Sequence, residues 1–268
     1  MLAARVTWAF LVRDLRVEKS YKGWLALKIV GGLLAVVMFY YIALVFRGRG
    51  STHLDAYGGS YFSFALIGLA FSAYMSQGIG GIAASLRGSQ GTGTLELMVL
   101  SPLRLPAIFL SSSLPSYVVG TITVLASLFT GIVLGADLGS ANVLMALLSF
   151  VVSTASFVAL GLFAAALVLV TKRGNPVAWG IRAVSVLLAG IFYPVSVLPG
   201  PFQVMAQAVP LTHVLELMRG SILLGKGPAE LWPHLLALLG LTAVLLPLGL
   251  LACHATVRMA RTDGSLSS

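Results

Sequence analysis

Residues 141–171, ANVLMALLSFVVSTASFVALGLFAAALVLVT, run without one charged side chain. An α-helix rises 1.5 Å per residue, so ~20 apolar residues cross the ~30 Å of hydrocarbon in a bilayer. This stretch does so with residues to spare. Others of the same character occupy roughly residues 24–46, 57–82, 106–135, 176–198 and 231–257. Inside lipid every backbone N–H and C=O must pair internally, which a helix achieves within one segment. The pattern predicts an all-α integral membrane protein with six transmembrane helices.

The composition agrees. Of 268 residues, 58% are hydrophobic and only 9% charged, whereas a soluble domain carries about a quarter charged residues. The spans consume the chain, so residues 1–268 read as a single transmembrane domain with no soluble domain between spans. The 24–46 stretch is too long for a signal-peptide core and has no small-x-small cleavage site after it, so it reads as a retained first span. Cys253 stands alone, which excludes an intramolecular disulfide, and it reads as a packing residue of the last span.

A net charge of +9 would point to nucleic acid in a soluble protein. Its distribution points elsewhere. With the N-terminus in the cytoplasm, the inner segments hold 13 of the 17 Lys and Arg residues; the outer ones hold Arg47, Arg49, Arg219 and Lys226. That bias follows the positive-inside rule. It predicts a multi-pass protein of the plasma (cytoplasmic) membrane, both termini cytoplasmic, with the lipid bilayer and not nucleic acid as its partner.

Residues 1–22 precede the first span. Within them Trp8, Leu11, Val12 and Leu15 keep helical spacing among Arg5, Arg13, Arg16 and Lys19. Two readings stand: an amphipathic interfacial helix, or a positive flank that sets topology. Ten of the 25 aromatic residues lie between Phe39 and Tyr74. Tyr40, Tyr41 and Tyr57 suit an interfacial belt. Phe64, Phe71 and Tyr74 sit deeper, where they either pack against neighbouring helices or line a pathway.

The inner loop between the second and third spans is the most unusual polar segment. A turn-like Ser85–Thr94, rich in Gly, Ser and Thr, leads into Leu95-Glu96-Leu97-Met98-Val99-Leu100, which stops at Ser101-Pro102. Thr92 or Thr94 can cap this short helix, and Glu96 complements its positive pole. Leu95, Met98 and Val99 need something to cover them, and a docking partner is one answer. Gly131, Gly135 and Gly139 recur at the four-residue spacing that favours close helix packing. Asn175-Pro176 opens the fifth span, from which Arg182 reaches back to the interface. Beyond it, Phe202–Val209 and Val214–Leu224, separated by Pro210, are too short to span and read as outer re-entrant half-helices. Glu216 and Arg219 are spaced to pair there.

Catalytic chemistry is missing. No span core holds Asp or Glu, which weighs against a proton- or sodium-driven carrier. No H-E-x-x-H, G-x-S-x-G or paired carboxylate is present, and His53, His213, His234 and His254 form no metal-ligand spacing. Gly220–Gly227 mimics a phosphate-binding loop but lacks its Ser/Thr and follows no strand. No catalytic, metal or cofactor-binding residue is therefore assigned, and the chain is not read as an enzyme. Helices enough for a pore, no energy source and a cytoplasmic docking element together suggest a permease driven by a separate motor.

In this order and sidedness the chain resembles the membrane subunit of ABC type-2 exporters. The resemblance rests on Gly93-Thr94-Leu95-Glu96-Leu97 with Ser101-Pro102, on Phe192-Tyr193-Pro194 and Leu198-Pro199, and on Pro210-Leu211-Thr212 with Glu216 through Arg219. It covers nearly the whole chain. It departs at the glycine-rich Gly88–Gly93 and at Val209, where Asn often precedes the Pro.

The resemblance implies a dimer, homomeric or with a paralogue, above two ATP-binding cassette subunits that carry the ATP and magnesium. It implies that Gly93, Thr94, Leu95, Glu96, Met98, Val99 and Pro102, flanked by Arg87 and Arg104, form a coupling helix against the ATPase. It also nominates Phe64, Phe71, Tyr74 and Phe192 as lining a path for an exported amphipathic substrate: a drug, a lipid or a lipid-linked glycan. The rival readings are a nucleotide-independent channel and a membrane-embedded assembly or regulatory protein.

Overall fold

The computed structural model describes residues 22–45, 52–91, 105–171 and 174–262. All its regular elements are helical: α1 (Lys22–Val45), α2 (Thr52–Asp55), α3 (Tyr61–Gly91), α4 (Leu105–Val133), α5 (Val143–Thr171), α6 (Gly174–Leu188), a 3-10 turn (Val195–Val197), α7 (Gly200–Gln207), α8 (Pro210–Ile222) and α9 (Pro228–Thr262). Tyr61–Gly81, Ser113–Val133, Val143–Ala165 and Pro228–Ala252 are long and apolar enough to cross a membrane. α1 and α6 supply shorter apolar stretches, Ile29–Val45 and Trp179–Leu188. The amphipathic segment expected over 2–19 lies outside the described residues.

α3 and α5 form the middle of the bundle. α3 packs on α4, α5, α1 and α8, while α9 lies along α5. Large apolar side chains face outward: Val118, Ile122, Leu125 and Phe129 on α4, and Leu236, Leu239, Val244 and Leu251 on α9. Such a surface is stable only against lipid or another apolar face, since each side chain would otherwise meet water.

Small residues let α3 and α4 approach. A Cβ on Gly78 would stand 2.5 Å from Tyr117 Oη, and one on Gly120 would stand 2.7 Å from Tyr74 Cδ2. A Cβ on Gly81 would strike Ser116, and one on Gly131 would strike Leu66. Of the three glycines in the expected repeat only one packs between helices, and Gly139 lies in a turn outside any helix. Gly131 packs, but Gly135 lies beyond the end of α4 with φ +92°. There Gly135 N–H donates to Ile132 O (3.0 Å) and Ala136 N–H to Gly131 O (2.8 Å). Those two bonds satisfy the last carbonyls of the helix and need a left-handed residue between them.

Two further boundaries differ from the sequence reading. α3 continues to Gly91, through most of the segment expected to turn. Once a helix is nucleated, each added residue gains a hydrogen bond, and the ~1 kcal/mol cost of each glycine does not stop it. In the other direction, the fifth apolar stretch leaves the helix at Leu188, with Gly190 at φ +72°. The remaining apolar residues to Leu198 form turns between prolines.

The connection between α4 and α5 meets the start of α3 and the end of α8. Asp137 N–H donates to Ser63 Oγ (3.1 Å), Asn142 N–H to Ser221 O (2.8 Å) and Ser140 Oγ to Leu223 O. The half-helices differ sharply there. α7 is largely exposed, with Val204 and Met205 outward, while in α8 every residue from Pro210 to Ile222 except Glu216 is buried. α8 is inserted among α3, α5 and α9.

Candidate functional site

The insertion of α8 is built around Arg219, which is 1% exposed. Its Nη1 donates to Gly190 O (3.0 Å), its Nη2 to Ile191 O (3.0 Å) and Phe64 O (3.2 Å), and its Nε to Phe64 O (3.4 Å). The guanidinium carbon lies 3.4 Å from the Phe64 ring centroid and 5.9 Å from that of Tyr57. A guanidinium stays charged under all ordinary conditions, and its planar fork suits several acceptors at once. Gly190 and Ile191 follow the last turn of α6, where carbonyls are left without helical partners and a cation is favoured. Gly68 makes room for this arrangement: a Cβ there would collide with the Ile191 carbonyl.

The Glu216 carboxylate, one turn earlier on α8, accepts from Tyr57 Oη at 2.7 Å. Both members of the pair expected at this spacing therefore reach distant segments, Glu216 to the 52–60 connection and Arg219 to α3 and the end of α6. An ionisable residue in an apolar segment is the signal that marks this junction in the sequence. The spacing rule pointed to the nearer partner and missed the carbonyls.

The four aromatic candidates fall into three places. Phe64 is fully buried beneath Arg219. Phe71 and Tyr74 meet each other at 6.4 Å and share Phe150 of α5, at 6.2 and 5.3 Å. Tyr74 also approaches Tyr117 and Phe157, and its hydroxyl lies 3.0 Å from Thr154 Oγ1. These three rings have no more than 1% of their surface exposed within the single chain, and they pack helix against helix. Phe192 differs: it is half-buried and stacks at 4.8 Å on Phe39 of α1. The structure does not bring the four rings to one surface.

Of the coupling candidates, Arg87 falls within the last two turns of α3. Gly93, Thr94, Leu95, Glu96, Met98, Val99, Pro102 and Arg104 lie outside the described residues. The histidines are less scattered than the sequence suggested, for His213 of α8 and His234 of α9 stand with their Nδ1 atoms 3.3 Å apart. Among the described residues no group of three or more His, Cys, Asp or Glu side chains could hold a metal ion.

Residues 5–223 match a family model described as ABC-2 type transporter. No curated protein matches the chain.

Proposed function

The chain belongs to the ABC-2 type transporter family, and from that premise we propose that it is the transmembrane permease subunit of an ATP-driven exporter. Its cargo would be amphipathic, a drug, a lipid or a lipid-linked glycan, and a separate ATP-binding subunit would power it. The observation that carries this reading is the extent of the family match, which takes in the 93–102 loop and both half-helices. In this reading α1 and α6 complete six spans, residues 1–22 lie on the cytoplasmic surface, and the half-helices face outward. A second copy or a paralogue covers the exposed apolar faces.

The mechanism follows from connectivity. α3 is a helix of 31 residues, about 46 Å long. One end leads directly into the coupling segment Gly93–Pro102. The other is held through the Phe64 carbonyl to Arg219, which also grips the end of α6. When ATP draws two ATPase subunits together, a push on the coupling segment would travel along α3 as a rod. It would then reach α6 and α8 together through the arginine. Phe192, stacked on Phe39 at the edge between α1 and the end of α6, is the pathway candidate with ring surface left for a substrate. Phe64, Phe71 and Tyr74 serve in this reading as the packing that keeps the rod stiff.

Co-purification tests the assignment. The ATPase subunit should come down with the intact chain and be lost when Leu95–Leu100 is deleted, with membrane insertion unchanged. Undiminished co-purification of the deletion variant would refute the coupling role.

A further inference from the structure

We propose that His213 and His234 form a proton-operated latch between α8 and α9, closed by a single N–H···N bond and opened when both facing nitrogens carry protons. His213 Nε2 lies 2.9 Å from the Gln207 carbonyl oxygen. A carbonyl can only accept, so Nε2 carries the proton, and Nδ1 of the neutral ring is an acceptor. Nδ1 of His234 stands 3.3 Å away, and it must be the donor. The tautomers of both rings follow. His213 is protonated at Nε2 and His234 at Nδ1, which leaves His234 Nε2 bare.

Protons reach this pair in a fixed order. His234 is half-buried whereas His213 is buried, so the first arrives at the bare His234 Nε2. It leaves the bond between the rings in place and makes its donor an imidazolium, which strengthens it. A second proton has one place to go, His213 Nδ1. There it sets two N–H groups and two like charges face to face at 3.3 Å, and the rings must part. The closed pair thus holds at most one proton and the open pair two, so falling pH favours the open form.

Little else nearby can answer that charge. The Glu216 carboxylate acts on His213 from the same helix, but it already accepts from Tyr57. Of the elements packed on α8, α5 and α7 carry no ionisable side chain, α3 carries Tyr61, Tyr74 and Arg87, and α6 carries Arg182. On α9, Glu230 lies one turn before His234, and the next ionisable residue after it is Cys253. Opening the latch frees the first turn of α8 from α9. The other end stays held, by Gly220 against Leu231 and by Arg219 on the Gly190 and Phe64 carbonyls. No nucleotide enters this device, so it stands or falls apart from the transport reading.

Hydrogen exchange on the full-length chain in detergent tests the latch, in the H53Q/H254Q background that leaves the pair intact. Imidazole titrates between about pH 7.5 and about pH 5. Across that range, after correction for intrinsic exchange, protection of the Val214–Leu217 amides should fall roughly tenfold, as loss of one hydrogen bond produces. Adding His234→Phe, which keeps a ring but no nitrogen, should give low protection at both ends and no step. No step in the intact pair, or an equal step in the variant, overturns the proposal. Magnetic resonance of the unsubstituted chain, isotope-labelled at its histidine nitrogens, decides the matter even where the variant fails to insert. A nitrogen–nitrogen coupling between the rings that is present at neutral pH and lost in acid supports the latch. Absence of that coupling at neutral pH, or its survival in acid, overturns it.

Discussion

Arg219 grips Phe64 twice, stacking its guanidinium 3.4 Å from the ring centroid and donating to that residue's own carbonyl oxygen. The two residues are 155 positions apart, and the contact seats a buried half-helix against the start of α3. A charge out of water is tolerated only when its donors are satisfied and a favourable field surrounds it. Here the field comes from the carbonyl pole of α6, and the ring adds a cation–π attraction.

Replacing Arg219 by Leu should therefore be severe. It strips charged donors from the Gly190, Ile191 and Phe64 carbonyls, each such bond contributing about 1.5–3 kcal/mol. Arg219→Lys keeps the charge but not the fork, so it should lose less. Thermal unfolding of the detergent-solubilised protein should rank wild type above Lys above Leu. An Arg219→Lys chain that still binds its ATPase should transport poorly, because α6 and α8 would no longer follow α3. Full transport by that variant would contradict the rod.

Two glycines on α3 give a matched comparison. Gly78 faces Tyr117, whereas Gly80 has nothing within 4 Å of a Cβ. Gly78→Ala should lower the unfolding temperature, with overpacking costing about 1–3 kcal/mol. Gly80→Ala should leave it unchanged or raise it, the gain in helix propensity being up to about 1 kcal/mol. Equal effects would mean that α3 and α4 do not meet through Gly78.

Tyr57→Phe removes the hydroxyl that reaches Glu216 and leaves the ring beside Phe64, which it meets at 4.9 Å. A hydrogen bond to a charged group contributes about 1.5–3 kcal/mol. Glu216→Gln keeps an acceptor for the same hydroxyl and should cost less. Hydrogen exchange of the 52–60 segment should accelerate in the first variant and stay close to wild type in the second.

The sequence could reveal what lipid demands of every residue and little of what single contacts decide. The charge-free 141–171 stretch became α5 over Val143–Thr171, because nothing but a helix satisfies so long an apolar backbone. Pro210 separated two half-helices as its missing N–H requires. The end of α6 was not legible, since Ile191 and Phe192 are as apolar as the helix before them and only the backbone at Gly190 turns. Gly131 and Gly135 looked equivalent by spacing, yet one packs and one caps. The partners of Arg219 and the approach of His213 to His234 are long-range, and no local spacing rule reports them.

In the proposed function this chain builds a route through lipid and takes its driving force from a separate ATPase through residues 93–102. Flux measured in proteoliposomes separates this from passive movement. With the ATP-binding subunit and ATP present, a labelled amphipathic substrate should move, and it should stop when either is withheld or Leu95–Leu100 is deleted. Transport by the purified chain alone, at the same rate with and without nucleotide, would contradict it.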